Sequence, residues 1–275
     1  LANGLTWNLG INASRGRSKV VYLPENVTEY YNAYTWNSGN IRNGIMVGQP
    51  ITTLTGRGFL RNDEGQVLIN PSTGFPLVNP LWTVIGDREP HLRFGGTTSV
   101  SYKGLRLSAL FAGRYNATVV NGTKRSMFTT GNSWESVEYR ERGTVVFNGV
   151  LRDGNENSKT PTTNTIGVDA GLAAASIYGG GDEDWLEKNV NYLRLQELRL
   201  SYNLPKKILS RTRIISDMNI FLVGNDLFTW TNYSGIDAVG NTVSAAAGGT
   251  GGEGCDVWSI PNPRGITFGI SLTLN

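Results

Sequence analysis

The chain has 275 residues, which is long enough for one large β domain or two small ones. Charged residues make up only 17 % of it, below the roughly 25 % usual in soluble globular domains, and glycine is abundant at 35 residues. The excess of 25 Lys and Arg over 22 Asp and Glu is too weak to indicate a nucleic-acid-binding protein. With one cysteine and one histidine, neither an intrachain disulfide nor a His/Cys metal site is expected, so we predict no cofactor.

The first element in chain order is a strand, because residues 5–12 alternate between apolar and polar side chains. Consecutive side chains of a strand point to opposite faces, so this segment has one apolar and one polar face. Residues 266–274 at the other end of the chain repeat the pattern. In the middle, residues 93–102 and 105–111 are two alternating runs that Lys103 and Gly104 join, which predicts a β-hairpin.

Residues 192–202 alternate with a change of phase. Leu193 and Leu195 share one phase, whereas Leu198 and Leu200 share the other. A slip of one residue moves every later side chain to the opposite face, so we predict a β-bulge near residues 196–197 that restores a single apolar face. A helical turn is predicted after Pro205, and residues 219–230 form a further strand with mixed faces.

Long connections separate these strands. Residues 113–191 and 231–264 are rich in glycine and polar residues, with short strands expected near residues 144–147. Compact soluble domains seldom have such connections, whereas outer-membrane barrels combine long outer loops with short periplasmic turns. The chain is therefore predicted to be all-β, forming a transmembrane antiparallel β-barrel. Aromatic residues near strand ends are predicted interface anchors: Trp7, Tyr102, Tyr202, Trp230 and Tyr233.

Three ordered motifs make the prediction more specific. Residues 192–205 read YLRLQELRLSYNLP, residues 221–235 read FLVGNDLFTWTNYSG, and residues 261–269 read PNPRGITFG. They resemble the segments YLRLKNITLGYxLP, VxGQNLFTWTxYSG and YPxPRxFTFG of SusC/RagA-type TonB-dependent transporters. Weaker matches at residues 47–50, 88–90 and 101–108 extend the resemblance over nearly the whole chain, and it is weakest between residues 113 and 181.

The resemblance implies that residues 1–275 are the C-terminal portion of a plugged barrel of about 22 strands. The plug domain and the TonB box are then expected N-terminal to Leu1. It also implies energy-coupled import of oligosaccharides or peptides across the outer membrane of a Bacteroidetes-type bacterium. The implied partners are a SusD-like surface lipoprotein, the TonB complex and the lipid bilayer, and no enzymatic activity is expected.

Candidate functional residues follow from the same interpretation. Polar residues opposite the apolar faces are expected to line the lumen: Arg106, Ser108, Thr267, Ser271 and Thr273. Among the loop tryptophans, Trp258, Trp134 and Trp36 are the candidates for contact with cargo or a partner. Neither His91 nor Cys255 has the neighbours that a catalytic site needs, and the acidic residues near Asp153 and at 182–184 lack calcium-loop spacing.

Two alternatives remain open at this stage. A self-contained passive barrel of about 10–12 strands would require the first and last strands to pair with each other. A secreted carbohydrate-binding β-sandwich would bury its apolar strand faces between two sheets.

Overall fold

The computed structural model describes residues 4–34, 41–210, 214–239 and 254–274. The strands in these ranges are β1 (Thr6–Ser14), β2 (Tyr30–Tyr34), β3 (Arg42–Ile45), β4 (Thr53–Gly56), β5 (Leu68–Ile69), β6 (Thr83–Asp87), β7 (Leu92–Tyr102), β8 (Leu105–Asn121), β9 (Thr144–Val146), β10 (Val150–Leu151), β11 (Gly167–Asp169), β12 (Leu186–Asn203), β13 (Ile215–Thr231), β14 (Cys255–Asp256) and β15 (Gly265–Leu274). The helices are α1 (Gly122–Thr129), α2 (Trp134–Glu141), α3 (Ala170–Gly179) and α4 (Lys206–Leu209), with a 3-10 helix at Asp182–Trp185. None of the helices described has the length and apolar character needed to cross a membrane.

Six long strands form one antiparallel sheet in the order β1-β7-β8-β12-β13-β15, and the short strand β14 pairs in parallel with the end of β8. β1 pairs with β7 and β15 pairs with β13, so β1 and β15 are the two edges of the described sheet. The pairing of first and last strands that a self-contained barrel requires is therefore not seen among these residues. A sheet with two such edges needs further strands before it can exist in lipid, where every backbone polar group must be paired.

The register gives the sheet one apolar and one polar face, as the alternation predicts. One row across all six strands is entirely apolar: Trp7, Val100, Leu107, Leu200, Leu222 and Phe268. The next row contains Asn8, Ser99, Ser108, Arg199, Val223 and Thr267. Every member of the apolar row is exposed, from 41 % for Val100 to 65 % for Phe268. A β-sandwich would cover this face with a second sheet, and an exposed apolar face of this extent requires lipid or another apolar surface.

The predicted bulge in β12 is confirmed. The pairing of β12 with β8 shifts by one residue between Leu195 and Glu197, and the pairing with β13 shifts at the same place. Leu195 consequently pairs with Phe111, and Leu198 pairs with Ala109 on the same face of β8. The leucines on both sides of the bulge therefore lie on the apolar face.

The connections differ strongly between the two ends of the sheet. At one end, Lys103 and Gly104 form the tight turn between β7 and β8. Both have positive φ (47° and 88°), as is common in β-hairpins with two-residue loops. At the same end, α4 confirms the helical turn predicted after Pro205, which is its N-cap residue. The three long connections, residues 15–91, 122–185 and 232–264, all leave the opposite end. We refer to the two ends as the turn end and the loop end.

The described parts of the long connections contain helices and short strands, most of which the sequence patterns do not predict. The strand expected near residues 144–147 is present as β9, but helices α1, α2 and α3 in the same connection were not predicted. β8 also continues to Asn121, ten residues beyond the predicted Phe111. The alternation stops there because both faces of its last residues are buried: Val119 packs against Val190 and Tyr233, whereas Val120 packs among residues of the loops.

Three hydrophobic clusters hold the connections to the loop end. The first contains Ile41, Leu54, Ile85, Val120, Cys255 and Val257, the second Val119, Val190, Tyr233 and Ala238, and the third Val145, Val168, Ala170 and Ala173. The first two include residues of β8, so they join the loops directly to the sheet. The third lies within the connection between β8 and β12.

Candidate functional site: the polar face and the rim of the sheet

The polar face of the sheet forms a groove near the turn end. The predicted residues Arg106, Ser108 and Ser271 line it, together with Arg199, Ser201, Asn203 and Asn219. Thr267 and Thr273 are an even number of residues from Ser271 on β15, so they lie on the same face. The structure thus brings all five predicted residues to one face, and the assignment of that face to a lumen stays a prediction.

Two arginines give the groove its charge. Arg106 Nη2 donates a hydrogen bond to Ser99 Oγ at 3.2 Å, and the Arg199 guanidinium lies 4.4 Å above the centre of the Phe221 ring. Glu197 and Asn8 line the adjoining part of the same face. Guanidinium, hydroxyl and amide groups can bind water, peptide carbonyls or sugar hydroxyls, and no nucleophile with an adjacent base is among them.

A buried ion-pair cluster lies at the loop end of β12. Arg194 Nη2 donates to both carboxylate oxygens of Asp237 at 3.2 and 3.4 Å, and Arg194 Nε donates to Thr229 Oγ1 at 3.2 Å. Asp226 lies 3.6 Å from the same guanidinium. The side chains of Arg194 and Asp237 are only 7 % and 8 % exposed. Asp237 follows β13, so this pair fixes the start of the third long connection on the sheet.

A second cluster ties the same connection to β8. Glu187 accepts hydrogen bonds from the Ser234 backbone N–H at 2.9 Å and from the Ser234 hydroxyl. Asn121 Nδ2 donates to Glu187 Oε1 at 2.7 Å. The Asn121 side chain also accepts from the Lys124 N–H and caps α1, so one residue joins the sheet, a helix and a loop.

The third cluster centres on Asp256, which is fully buried. Tyr233 Oη donates to Asp256 Oδ2 at 2.7 Å and Thr123 Oγ1 donates to Asp256 Oδ1 at 3.0 Å. Burial raises the pKa of the Tyr233 phenol, and the hydrogen bond and negative charge of Asp256 raise it further, so the phenol remains a donor. We call the three clusters together the rim network.

Trp258 and Trp134, the two candidate tryptophans among the described residues, do not line the groove. Trp258 is 60 % exposed with a φ of 56°, and its backbone N–H donates to Thr123 Oγ1 at 2.7 Å, so the rim network holds it in this strained conformation. Trp134 is the first residue of α2, is 74 % exposed, and donates from Nε1 to Glu138 at 2.8 Å. Trp36 lies outside the described residues. That any of them contacts cargo or a partner stays a prediction.

Tyr233 has a role other than the one expected. Tyr233 is 6 % exposed and is part of the rim network, so its assignment as an interface anchor is wrong. Trp7 and Trp230 are 57 % and 53 % exposed at strand positions, which fits that role better. Cys255 is buried in a hydrophobic cluster. In the part of the chain that the structure describes, no three His, Cys, Asp or Glu side chains are grouped as metal ligands.

Comparison with known proteins shows what this chain is similar to. No family model matches the chain. It is 26 % identical over 254 residues to the TonB-dependent receptor P26 of Formosa agariphila, and 22 % identical over 299 aligned positions to TonB-dependent receptor P3 of the same organism. These alignments cover 86 % and 97 % of this chain. The chain is homologous to TonB-dependent receptors. It spans about a quarter of their length, 24 % of P26 and 26 % of P3.

Solved structures agree with this homology at the level of the fold. The RagAB peptide importer in its closed-closed state superposes with a TM-score of 0.61 and 19 % identity, over 99 % of this chain and 28 % of that one. A structure of the RagAB peptide transporter gives 0.60 and 20 % over the same shares. The long antiparallel sheet thus matches part of a RagA-type barrel. TonB-dependent receptors are outer-membrane β-barrel proteins and transporters rather than enzymes, as the sequence resemblance implied.

The rim network is the part of the candidate site that the sequence did not predict. Ser234 belongs to the segment at residues 221–235 that resembles the family motif, Asp237 follows that segment by two residues, and Arg194 belongs to the YLRL motif. The motifs therefore marked the right segments, but the partners are 43 residues apart for Arg194 and Asp237 and 133 apart for Thr123 and Asp256. No local pattern encodes such a pairing.

Proposed function

We propose that this chain forms part of the wall and outer loops of a TonB-dependent importer of the SusC/RagA type, with the polar face toward the lumen and the loop end toward the outside. The observation that supports this most is the row of six exposed apolar residues across six strands, next to a row in which five of six residues are polar. Such a sheet has a lipid-facing side and a water-facing side. The plug domain and the TonB box belong to the remainder of the protein, N-terminal to Leu1.

The cargo in this proposal is an oligosaccharide or a peptide, captured together with a SusD-like surface lipoprotein. Support comes from the loop end, where the described parts of the three long connections pack over the strands and the rim network fixes them there. A fixed outer layer gives a partner a defined surface to dock on, whereas unattached loops would each have to be ordered on binding. Exposed Trp258 and Trp134 are the candidate contacts on that layer.

The first test is on the native protein. A tag on the intact chain allows purification from outer membranes in mild detergent, followed by mass measurement and identification of any acylated lipoprotein of the SusD fold in the complex. The proposal expects a polypeptide several times heavier than these 275 residues and one such lipoprotein at an equal amount. A native chain of about this length without that partner would contradict it.

Uptake distinguishes active import from passive diffusion. Cells carrying the intact protein take up a radiolabelled peptide or oligosaccharide mixture, and the same cells without TonB serve as the matched control. The proposal expects uptake above the receptor-deletion strain only when TonB is present. Equal uptake in both strains would mean a passive pore.

A further inference from the structure

A cavity of about 330 Å³ lies between two of the long connections, the one from β1 to β7 and the one from β8 to β12. The rings of Phe59, Phe75 and Phe147 form its walls together with Val67 and Val78. We call it the Phe pocket. Its volume is in the range of about 300–1,000 Å³ found for small-molecule sites, and a mostly apolar lining with a few polar groups is typical of them.

The backbone around the pocket is well fixed. Leu60 N donates to Leu77 O at 2.7 Å and Asn79 N donates to Gly58 O at 2.8 Å, so the chain on both sides of Phe59 is bonded to the strand opposite. The carbonyl of Phe147 accepts from Asn164 Nδ2 at 2.8 Å. The Phe75 and Phe147 rings lie 5.7 Å apart between centroids. The pocket is therefore formed before any ligand arrives, which lowers the entropic cost of binding.

Three charged side chains lie at the pocket and give it a net negative charge. Arg61 Nη2 donates to Glu183 Oε1, and Phe59 N donates to the same oxygen at 3.4 Å, so these two opposite charges compensate each other. Asp184 adds a second carboxylate beside them. A ligand that enters the apolar interior therefore meets a negative charge at the opening, which favours a cation in that position.

We propose that the Phe pocket binds the apolar side chain of a peptide whose neighbouring residue is Lys or Arg. The proposal rests on the proposed import function and deepens it by naming a class of cargo. An aromatic or branched aliphatic side chain fills the space between the three phenyl rings, and the basic neighbour reaches Asp184. A sugar ring fits less well, because most of its hydroxyls would leave water for phenyl, valine and proline surfaces without hydrogen bonds.

The experiment measures binding of four capped, fluorescently labelled tetrapeptides to the purified intact receptor in detergent. The probes are Gly-Phe-Lys-Gly, Gly-Ser-Lys-Gly, Gly-Phe-Gln-Gly and Gly-Phe-Glu-Gly. Burial of the phenyl group predicts that the Ser probe binds at least about tenfold more weakly than the Phe-Lys probe. An exposed ion pair predicts a loss of about two- to fivefold for the Gln probe and a larger loss for the Glu probe.

Two variants connect that binding to the pocket. Val67→Phe fills the cavity and should abolish binding of every Phe probe. Asp184→Asn should reduce affinity for the Phe-Lys probe to that of the Phe-Gln probe and leave the latter unchanged. Glu141→Gln on α2, which does not line the pocket, is the matched charge control and should change nothing.

Absence of Phe-Lys binding, or binding that Val67→Phe and Asp184→Asn both leave unchanged, would overturn the proposal. Such a result is distinguishable from failure of the import function. Continued TonB-dependent uptake of a different cargo would leave import intact and remove only the pocket. Uptake that does not depend on TonB would remove the basis of both.

Discussion

The turn end and the loop end of the sheet are stabilised in different ways. Near the turn end, apolar side chains such as Leu107 and Phe268 are exposed on one face, and polar side chains such as Arg106 line an open groove on the other. What holds this part together among the described residues is chiefly the backbone ladder. The membrane supplies the apolar environment that a soluble protein would build from its own core.

Near the loop end, the same strands are covered by folded connections. Val119 and Val120 on opposite faces of β8 are both buried, and the buried charged side chains of Arg194 and Asp256 are hydrogen-bonded within the rim network. This part resembles a soluble protein in having hydrophobic clusters and hydrogen-bonded buried side chains. β8 therefore passes through two environments. Up to Phe111 its residues are exposed or half-buried, whereas the residues from Ala117 onward are consecutively buried.

The largest effect is expected from removing one residue between two leucines of the apolar face. Deletion of Arg199 brings Leu198 and Leu200 to adjacent positions of β12, so one of these two side chains must turn to the polar face. We expect no folded barrel in the outer membrane, measured as loss of the heat-modifiable band in gel electrophoresis. Arg199→Ala keeps the register and should assemble normally. Normal assembly of the deletion variant would contradict the assigned register.

The buried ion pair is the next largest contribution. Arg194→Ala leaves Asp237 buried without its guanidinium partner, which should lower the free energy of unfolding of the intact protein by about 3–5 kcal/mol. Arg93→Ala removes an exposed pair with Glu89 and should cost less than about 1 kcal/mol. Denaturant titration in detergent measures both. Equal losses of unfolding free energy in the two variants would contradict the burial of the Arg194–Asp237 pair.

Adjacent residues of β8 test the two faces near the turn end. Leu107→Lys places a charge on the apolar face and should cost about 2–4 kcal/mol if the position lies near the middle of the bilayer. Ser108→Lys places the same charge in the polar groove and should be nearly neutral. The measurement is the unfolding free energy in lipid vesicles. A reversed order would exchange the lipid and lumen faces.

A smaller and pH-dependent effect is expected at Tyr233. Tyr233→Phe removes a hydrogen bond to buried Asp256 and should cost about 1–3 kcal/mol at neutral pH. Because burial raises the pKa of this phenol in the folded state, its stabilising contribution is present below about pH 10 and is lost as the pH rises above the ordinary tyrosine value.

The wild-type protein should therefore lose more stability between pH 8 and pH 11 than the Tyr233→Phe variant does. Tyr102→Phe, at an exposed strand position, is the control and should match the wild type at both pH values. The same pH dependence in all three proteins would contradict the assigned role of the phenol.

The difference between the two ends also explains what the sequence can predict. Near the turn end, one face of the sheet is apolar throughout and the other is polar. Local sequence patterns were therefore sufficient to predict the alternation at Leu105 and Leu107, the phase change at residues 196–197 and the turn at Lys103. The motifs at residues 192–205 and 221–235 then gave the resemblance to TonB-dependent transporters, and homology to TonB-dependent receptors was found by comparison. The polar face and its five candidate residues followed from the same period of two.

Near the loop end, local patterns were insufficient. The continuation of β8 beyond Phe111 was missed because Val119 and Val120 are both buried and no alternation remains. Capping residues Asn121 and Ser133 were available signals for α1 and α2, but they are ambiguous in a segment rich in polar residues. The rim network depends on contacts between distant segments and could not be predicted.

The central claim is that the apolar face of this sheet contacts lipid while the polar face does not. In a Cys255→Ser background, a bimane label at Leu107→Cys and the same label at Ser108→Cys are compared in the intact protein, reconstituted in vesicles with and without brominated lipid. The account predicts strong quenching by brominated lipid at residue 107 and little at residue 108. Equal quenching at both positions, or none at either, would contradict it.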